Sequence, residues 1–135
     1  MSLGFVFPGQ GSQYIGAYQD AEGNWLTGDN TYRIHLPSDV PANMFWSLTV
    51  YDNETRSMIQ NEEGRPLVGS VHGAVANEDG SFDLHFGPIR PADTPEENWV
   101  QTTPGKGWFV YLRLYGPEMP YFDKTWIPGD AERVE

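Results

Sequence analysis

The sequence predicts an all-β fold: a two-sheet β-sandwich of jelly-roll type, with at most short helical turns. Three observations carry this. Apolar residues alternate with polar ones at a period of two in several short runs, as strands with one buried side require. Glycine (15) and proline (11) punctuate those runs, and aromatics reach 14%, a combination suited to many strands joined by tight turns. No amphipathic pattern lasts three helical turns. Jelly-roll topology is expected ahead of an immunoglobulin-like one.

A chain of 135 residues has room for one domain with a real core. Residues 1–12 read as an N-terminal segment, in which Met1-Ser2-Leu3 resembles an expression remnant. Residues 13–129 read as the sandwich, and 130–135 as a frayed tail.

Tyr14 to Tyr18 leads through Asp20-Ala21-Glu22-Gly23 to Trp25-Leu26, a hairpin with glycine at the positive-φ position. Thr31 to Leu36 turns Tyr32, Ile34 and Leu36 inward. Phe45 to Tyr51 is largely apolar on both sides, as a central strand would be. Val71 to Ala76 and Ser81 to Phe86 flank Asn77-Glu78-Asp79-Gly80, a second hairpin pattern. The proline-rich, acidic stretch from Gly87 to Asn98 predicts an exposed loop. Gly107 to Tyr115 is the longest strand expected, with Trp108, Val110, Leu112 and Leu114 on one side and Phe109, Tyr111, Arg113 and Tyr115 on the other. A short helical turn is expected near Tyr121 to Lys124.

The formal charge of −11 comes from 19 acidic and 8 basic residues scattered through turns. Such a field repels phosphate backbones and anionic membranes, so no nucleic-acid partner and no membrane insertion are expected. The absence of cysteine removes disulfides, thiol nucleophiles and thiolate metal sites. No apolar run is long enough for a membrane helix.

A series of ordered motifs then gives the chain a family likeness. They are Tyr14-Ile15-Gly16-Ala17-Tyr18, Tyr32-Arg33-Ile34-His35-Leu36-Pro37, Phe45-Trp46-Ser47 with Thr49-Val50-Tyr51-Asp52, and Thr55-Arg56-Ser57-Met58. Further on come Phe86-Gly87-Pro88, Pro104-Gly105-Lys106-Gly107-Trp108-Phe109, Arg113-Leu114-Tyr115-Gly116-Pro117 and Asp123-Lys124-Thr125-Trp126. Over Gln13 to Gly129 the chain resembles the bacterial family called domain of unknown function 1214. The resemblance implies a jelly-roll sandwich, often the C-terminal part of a protein whose N-terminal part is domain of unknown function 1254. It implies as partner an upstream domain of that 1254 type, another chain or a second copy. It also implies a place in the bacterial cell envelope or periplasm, and supplies no catalytic residues.

Several local patterns suggest chemistry. Phe7-Pro8-Gly9-Gln10-Gly11-Ser12-Gln13 looks like the opening of carrier-protein acyltransferases. The nucleophile elbow those enzymes need is missing, so Gly9 and Gly11 are expected to serve a turn. Gly105-Lys106-Gly107 lacks the spacing of a phosphate loop and reads as a hairpin turn. His35 and His85 could meet on one sheet side as metal ligands, but their spacing is no zinc pattern. Asp79, Ser81 and Asp83 alternate as calcium oxygens might be offered, without the twelve-residue loop pattern. Ser57, Ser70, His72 and Asp52 supply the ingredients of a hydrolytic triad without its geometry.

The most informative set is Tyr111, Arg113 and Tyr115, with Trp108 or Trp126 at a rim and Arg56 in the turn after Tyr51-Asp52. Rings stack on the apolar sides of sugars and planar groups while guanidinium fixes oxygen atoms. The same residues could instead form a core side, with Arg113 satisfied by Asp52 or Asp123 and Arg56 bracing Asp52. Trp126 could plug the base of the sandwich or dock a partner. The first expectation is therefore a non-catalytic module that packs against a partner domain or itself and contributes to a ligand cleft. Small-molecule or carbohydrate binding through the aromatic and arginine side comes second, and a metal-dependent or hydrolytic enzyme third. No cofactor is expected.

Overall fold

The computed structural model describes residues 6–9 and 12–134. Met1-Ser2-Leu3 and Gly11 lie outside them. Two sheets face each other across one core. The five-stranded sheet runs β1-β2-β8-β4-β5, from β1 (Val6–Gly9), β2 (Ser12–Ala17), β4 (Ala42–Asp52), β5 (Leu67–Gly69) and β8 (Trp108–Pro117). The four-stranded sheet runs β7-β6-β3-β9, from β3 (Thr31–Leu36), β6 (Phe82–Gly87), β7 (Trp99–Gln101) and β9 (Glu132–Val134). The all-β two-sheet sandwich is the fold, with helix among the described residues confined to two 3-10 turns and one α-turn, α1 (Met119–Phe122). Among the described residues no helix is long and apolar enough to cross a membrane.

Alternation decides which side chains meet. In β3, Tyr32, Ile34 and Leu36 are buried, and in β6 Leu84 and Phe86 join them. Trp46, Leu48 and Val50 of β4 and Val110, Leu112 and Leu114 of β8 face them from the other sheet, with Ile15 and Ala17 of β2. Each aliphatic side chain fully buried there stabilises the fold by about 1.5–3 kcal/mol. Because one-residue slips would expose this set, the register is strongly specified: Leu48 stands opposite Leu112 and Val50 opposite Val110.

Several expectations need correction. Val71–Ala76 is not a strand. The strand is β5, just before it, and the chain leaves β5 through a 3-10 turn at Ser70–His72 capped by Gly73 in the left-handed conformation. Of that hairpin only the turn forms, Asn77 N–H donating to Ser81 O and Gly80 N–H to Asn77 O. Within the C-terminal segment Glu132–Val134 form β9, which pairs antiparallel with β3, Arg33 opposite Glu132. Within the N-terminal segment Val6–Gly9 form β1, which pairs with β2, Phe7 standing opposite Tyr14. Finally, the loop after Gly87 is not wholly exposed: Thr94 and Asn98 are buried, and the Asn98 amide clamps the backbone of Val75 at both N and O. That crossover sets β7 parallel to β6, a pairing that needs a long connection and departs from an all-antiparallel jelly roll. The longest strand is β4 rather than β8, by one residue.

Candidate functional site

The outward side of the five-stranded sheet holds the aromatic and arginine set. Strand register puts Tyr14 beside Arg113 and Gly16 beside Tyr111 from β2, and Phe45 beside Tyr115, Thr49 beside Tyr111 and Tyr51 beside Phe109 from β4. Tyr111 sits at the centre. Its ring lies over Gly16, where a Cβ would come within 2.7 Å of Cε1, so only glycine leaves room for it. Tyr111 and Tyr18 share a 2.7 Å hydroxyl hydrogen bond. Burial, then the Tyr18 hydroxyl, push the Tyr111 phenol up to about 12, so it stays protonated.

On one side of Tyr111 lies Arg113. Its guanidinium covers the Tyr14 ring at 4.1 Å and donates to the Tyr115 hydroxyl at 2.6 Å, while Tyr115 stacks on Phe45 at 4.0 Å. Neither Asp52 nor Asp123 pairs with it. Asp123 is turned to the amide and hydroxyl of Thr125, and among the described residues no carboxylate forms an ion pair with Arg113. The expected carboxylate partner is replaced by rings.

On the other side lies Phe109, only 3% exposed although it points outward. Tyr18 and Tyr51 stack on it at 5.1 and 5.3 Å, and Arg56 covers it at 5.3 Å. Arg56 does not brace Asp52. The Asp52 carboxylate accepts from the amides of Glu54 and Thr55 and faces Lys106 at 3.8 Å. Burial opposes ionisation there, but those amides and the lysine outweigh it and hold the carboxyl below its ordinary value. Beyond Arg56 an open depression of about 530 Å³ is lined by Tyr18, Gln19, Trp25, Asn53 and Arg56.

The remaining site expectations separate. Trp108 is not at a rim: it is 2% exposed, stacks on Phe86 at 5.4 Å and meets Tyr32 edge-on. Trp126 is buried at the base, its indole N–H donating to Pro37 O at 3.1 Å. His35 and His85 do share the outward side of the four-stranded sheet, since Arg33 stands opposite His85 and His35 opposite Asp83. His35 Nδ1 is 2.7 Å from Asp83 and His85 Nδ1 is 3.4 Å from the Thr94 hydroxyl; no group of three or more metal-ligating side chains gathers among the described residues. Asp79 is occupied by the amide and hydroxyl of Ser81. The triad ingredients are committed elsewhere, Ser70 to the backbone of Trp46, Ser57 to Thr55, and Asp52 to its own turn.

Sequence reasoning missed Tyr14, Tyr18 and Trp25. Tyr14 and Tyr18 lie on the side of β2 that alternation leaves out of the core, and their value appears only once β2 is known to pair with β8. Trp25 had a signal of its own: a tryptophan in a polar turn, where burial is hard to arrange.

A family model described as "Protein of unknown function (DUF1214)" matches residues 11–119. Among solved structures, the VPA0106 protein from Vibrio parahaemolyticus superposes with a TM-score of 0.79 at 22% identity, over 92% of this chain and 31% of that one. An uncharacterised protein from Burkholderia cenocepacia superposes with a TM-score of 0.69 at 19% identity, over 95% of this chain and 31% of that one. At these identities the likeness is one of fold. This chain thus spans about a third of the length of the solved chains it matches. No curated protein matches it.

Proposed function

The chain belongs to the DUF1214 family of proteins of unknown function, and from that premise we propose that it is a non-catalytic β-sandwich module whose aromatic and arginine side of the five-stranded sheet packs against a partner domain. The observation that carries this reading is Arg113, which lies over the Tyr14 ring and donates to the Tyr115 hydroxyl, with no carboxylate of its own among the described residues. Tyrosine and arginine are the residues that anchor interfaces, because they bury large area and still satisfy directional partners. Met44 (68% exposed) and Met119 (67% exposed) extend apolar surface past the Tyr115 end of the strands. The matched solved chains are about three times as long, which supports packing against a further domain, and an incoming carboxylate is what Arg113 lacks.

Isolated protein should bind an apolar dye or self-associate in sedimentation equilibrium, and Arg113→Glu should reduce that association about tenfold or more by opposing an acidic partner. A strictly monomeric chain that binds no dye would overturn the reading. A second reading takes the same Arg113 as the anchor for a small carboxylate or sugar stacked on Tyr111 and Tyr115. It differs in predicting a ligand-induced rise in melting temperature that Arg113→Ala removes without unfolding the domain.

A further inference from the structure

We propose that the depression beside Trp25 and Arg56 binds a sugar that carries a carboxylate, a uronic acid unit. The site stands apart from the Arg113 half of the sheet, with Phe109 and Tyr111 between them, and does not rest on what packs there.

The first support is the way Trp25 is held. Asp20 is buried and accepts from the amides of Glu22 and Asn24, both at 2.9 Å, while Gly23 takes a left-handed φ of 88° and Gln19 pairs with Trp25 across the hairpin. The turn is firmly built, yet it leaves the Trp25 indole 68% exposed. The other four tryptophans are 7% exposed or less. A fixed, uncovered indole at a depression offers the flat apolar area that the C–H side of a pyranose ring covers.

Polar groups around that ring fit the rest of a sugar. The side-chain amides of Gln19 and Asn53 line the depression and form no hydrogen bond among the described residues, so both can donate to and accept from hydroxyls. Asn53 is positioned by its backbone, its N–H donating to Gly107 O at 3.1 Å.

Arg56 selects the carboxylate. Its backbone has φ 63°, a left-handed conformation unusual for a side chain of this size, and its guanidinium rests on Phe109. Neither of the two acids that precede it in the turn pairs with it: Asp52 is spent on two amides and Lys106, Glu54 forms no ion pair, and none reaches Arg56 among the described residues. In a chain of charge −11 an anion needs such a local cation to approach, and a planar guanidinium matches a carboxylate with two parallel hydrogen bonds. The volume, about 530 Å³, falls in the usual range for small-molecule sites of about 300–1,000 Å³.

Because Trp25 is the one exposed tryptophan, intrinsic fluorescence reports on it. The whole chain is titrated with D-galacturonate, D-glucuronate and D-mannuronate, with D-galactose and acetate as controls. At least one uronate should shift emission to shorter wavelength and shield the indole from iodide, with a dissociation constant of about 1 mM. Trp25→Ala should abolish binding followed by saturation-transfer NMR. Arg56→Gly relieves the left-handed turn rather than straining it, and should weaken the uronate about tenfold while leaving galactose unchanged. Arg113→Ala should change nothing. No saturable response to any of the three uronates overturns the proposal, as does acetate binding as tightly as the uronate. Uronate binding that survives Arg56→Gly but is lost in Arg113→Ala also overturns it, and moves the ligand to the other half of the sheet.

Discussion

The outward sides of the two sheets obey the same alternation and use it differently. On the four-stranded sheet polar groups answer one another: His35 meets Asp83 at 2.7 Å, Arg33 approaches Glu132 at 3.9 Å, Asn77 donates to Asp83, and the loop after Gly87 lays Thr94 on His85. On the five-stranded sheet, rings stack on rings and the cations Arg56 and Arg113 rest on rings instead of acids. Partly exposed ion pairs contribute little to stability, so the first side is a solvated surface whose charges are mostly paired within it, although Arg33 Nε is buried without a hydrogen-bond partner. The second side buries area within its own outer layer and leaves guanidinium groups open to an acid from outside.

The largest expected effect that would break this contrast is Phe109→Ala. If the outer aromatic layer is packed like an interior, the substitution should cost about 3 kcal/mol, close to Leu112→Ala on the inner side of the same strand, measured by urea unfolding. A loss under about 1 kcal/mol would mean that the layer is mere surface. Next in size is Gly16→Ala, which forces Tyr111 off its seat and should cost about 1–3 kcal/mol. An unchanged urea midpoint, with the Tyr18 and Tyr111 hydroxyl contact still present in the spectra, would show that the ring has somewhere else to go.

The smallest effect lies on the other sheet and depends on pH. Burial holds His85 below its ordinary 6.5, with Asp83 opposing this and Arg33 adding to it. The unfolded chain therefore takes up the proton first, and stability is fully present above about pH 6.5 and falls as the pH drops through that value toward the folded one. His85→Asn should flatten the urea midpoint between about pH 7 and 5. Asp83 acts lower. Burial raises its pKa, but His35, Asn77 and Arg33 lower it more, so its contribution is present above about pH 4 and lost as the pH falls further. The cost of Phe109→Ala should stay constant between about pH 5 and 8, since rings and the Arg56 guanidinium pack on it rather than His85 or Asp83. A pH-dependent cost would join the two sides that the structure separates.

Much of this was legible one strand at a time. Period-two alternation located β3, β4, β6 and β8 and sorted their inner and outer sides, because burial on one side of a pleated strand leaves a direct trace in sequence. It failed at Val71–Ala76, where Val71 and Val75 imitate a strand but stand 62% and 46% exposed. There Gly69 and Gly73 govern the path: Gly69 leaves no room for a Cβ against Trp46 O, and Gly73 takes a left-handed φ. It also failed for β9, which is too short and polar to show a pattern and exists only because the edge of β3 offers it hydrogen bonds. Trp108 shared a strand with the expected site, yet it faces the core by the same parity that sends Phe109 outward.

The sandwich class, the inner and outer members of the main strands, and the family could be read from residue order alone, since each is written in local periodicity or in ordered motifs. It took the packing of strands on one another to give Arg113 rings for partners, to keep the side chains of Arg56 and Asp52 apart although their backbones are hydrogen-bonded, and to leave Trp25 uncovered. Those outcomes depend on which strands lie side by side. Pairing joins residues as distant as Tyr14 and Arg113, and it is fixed by the total burial of two sheets rather than by any single run of residues.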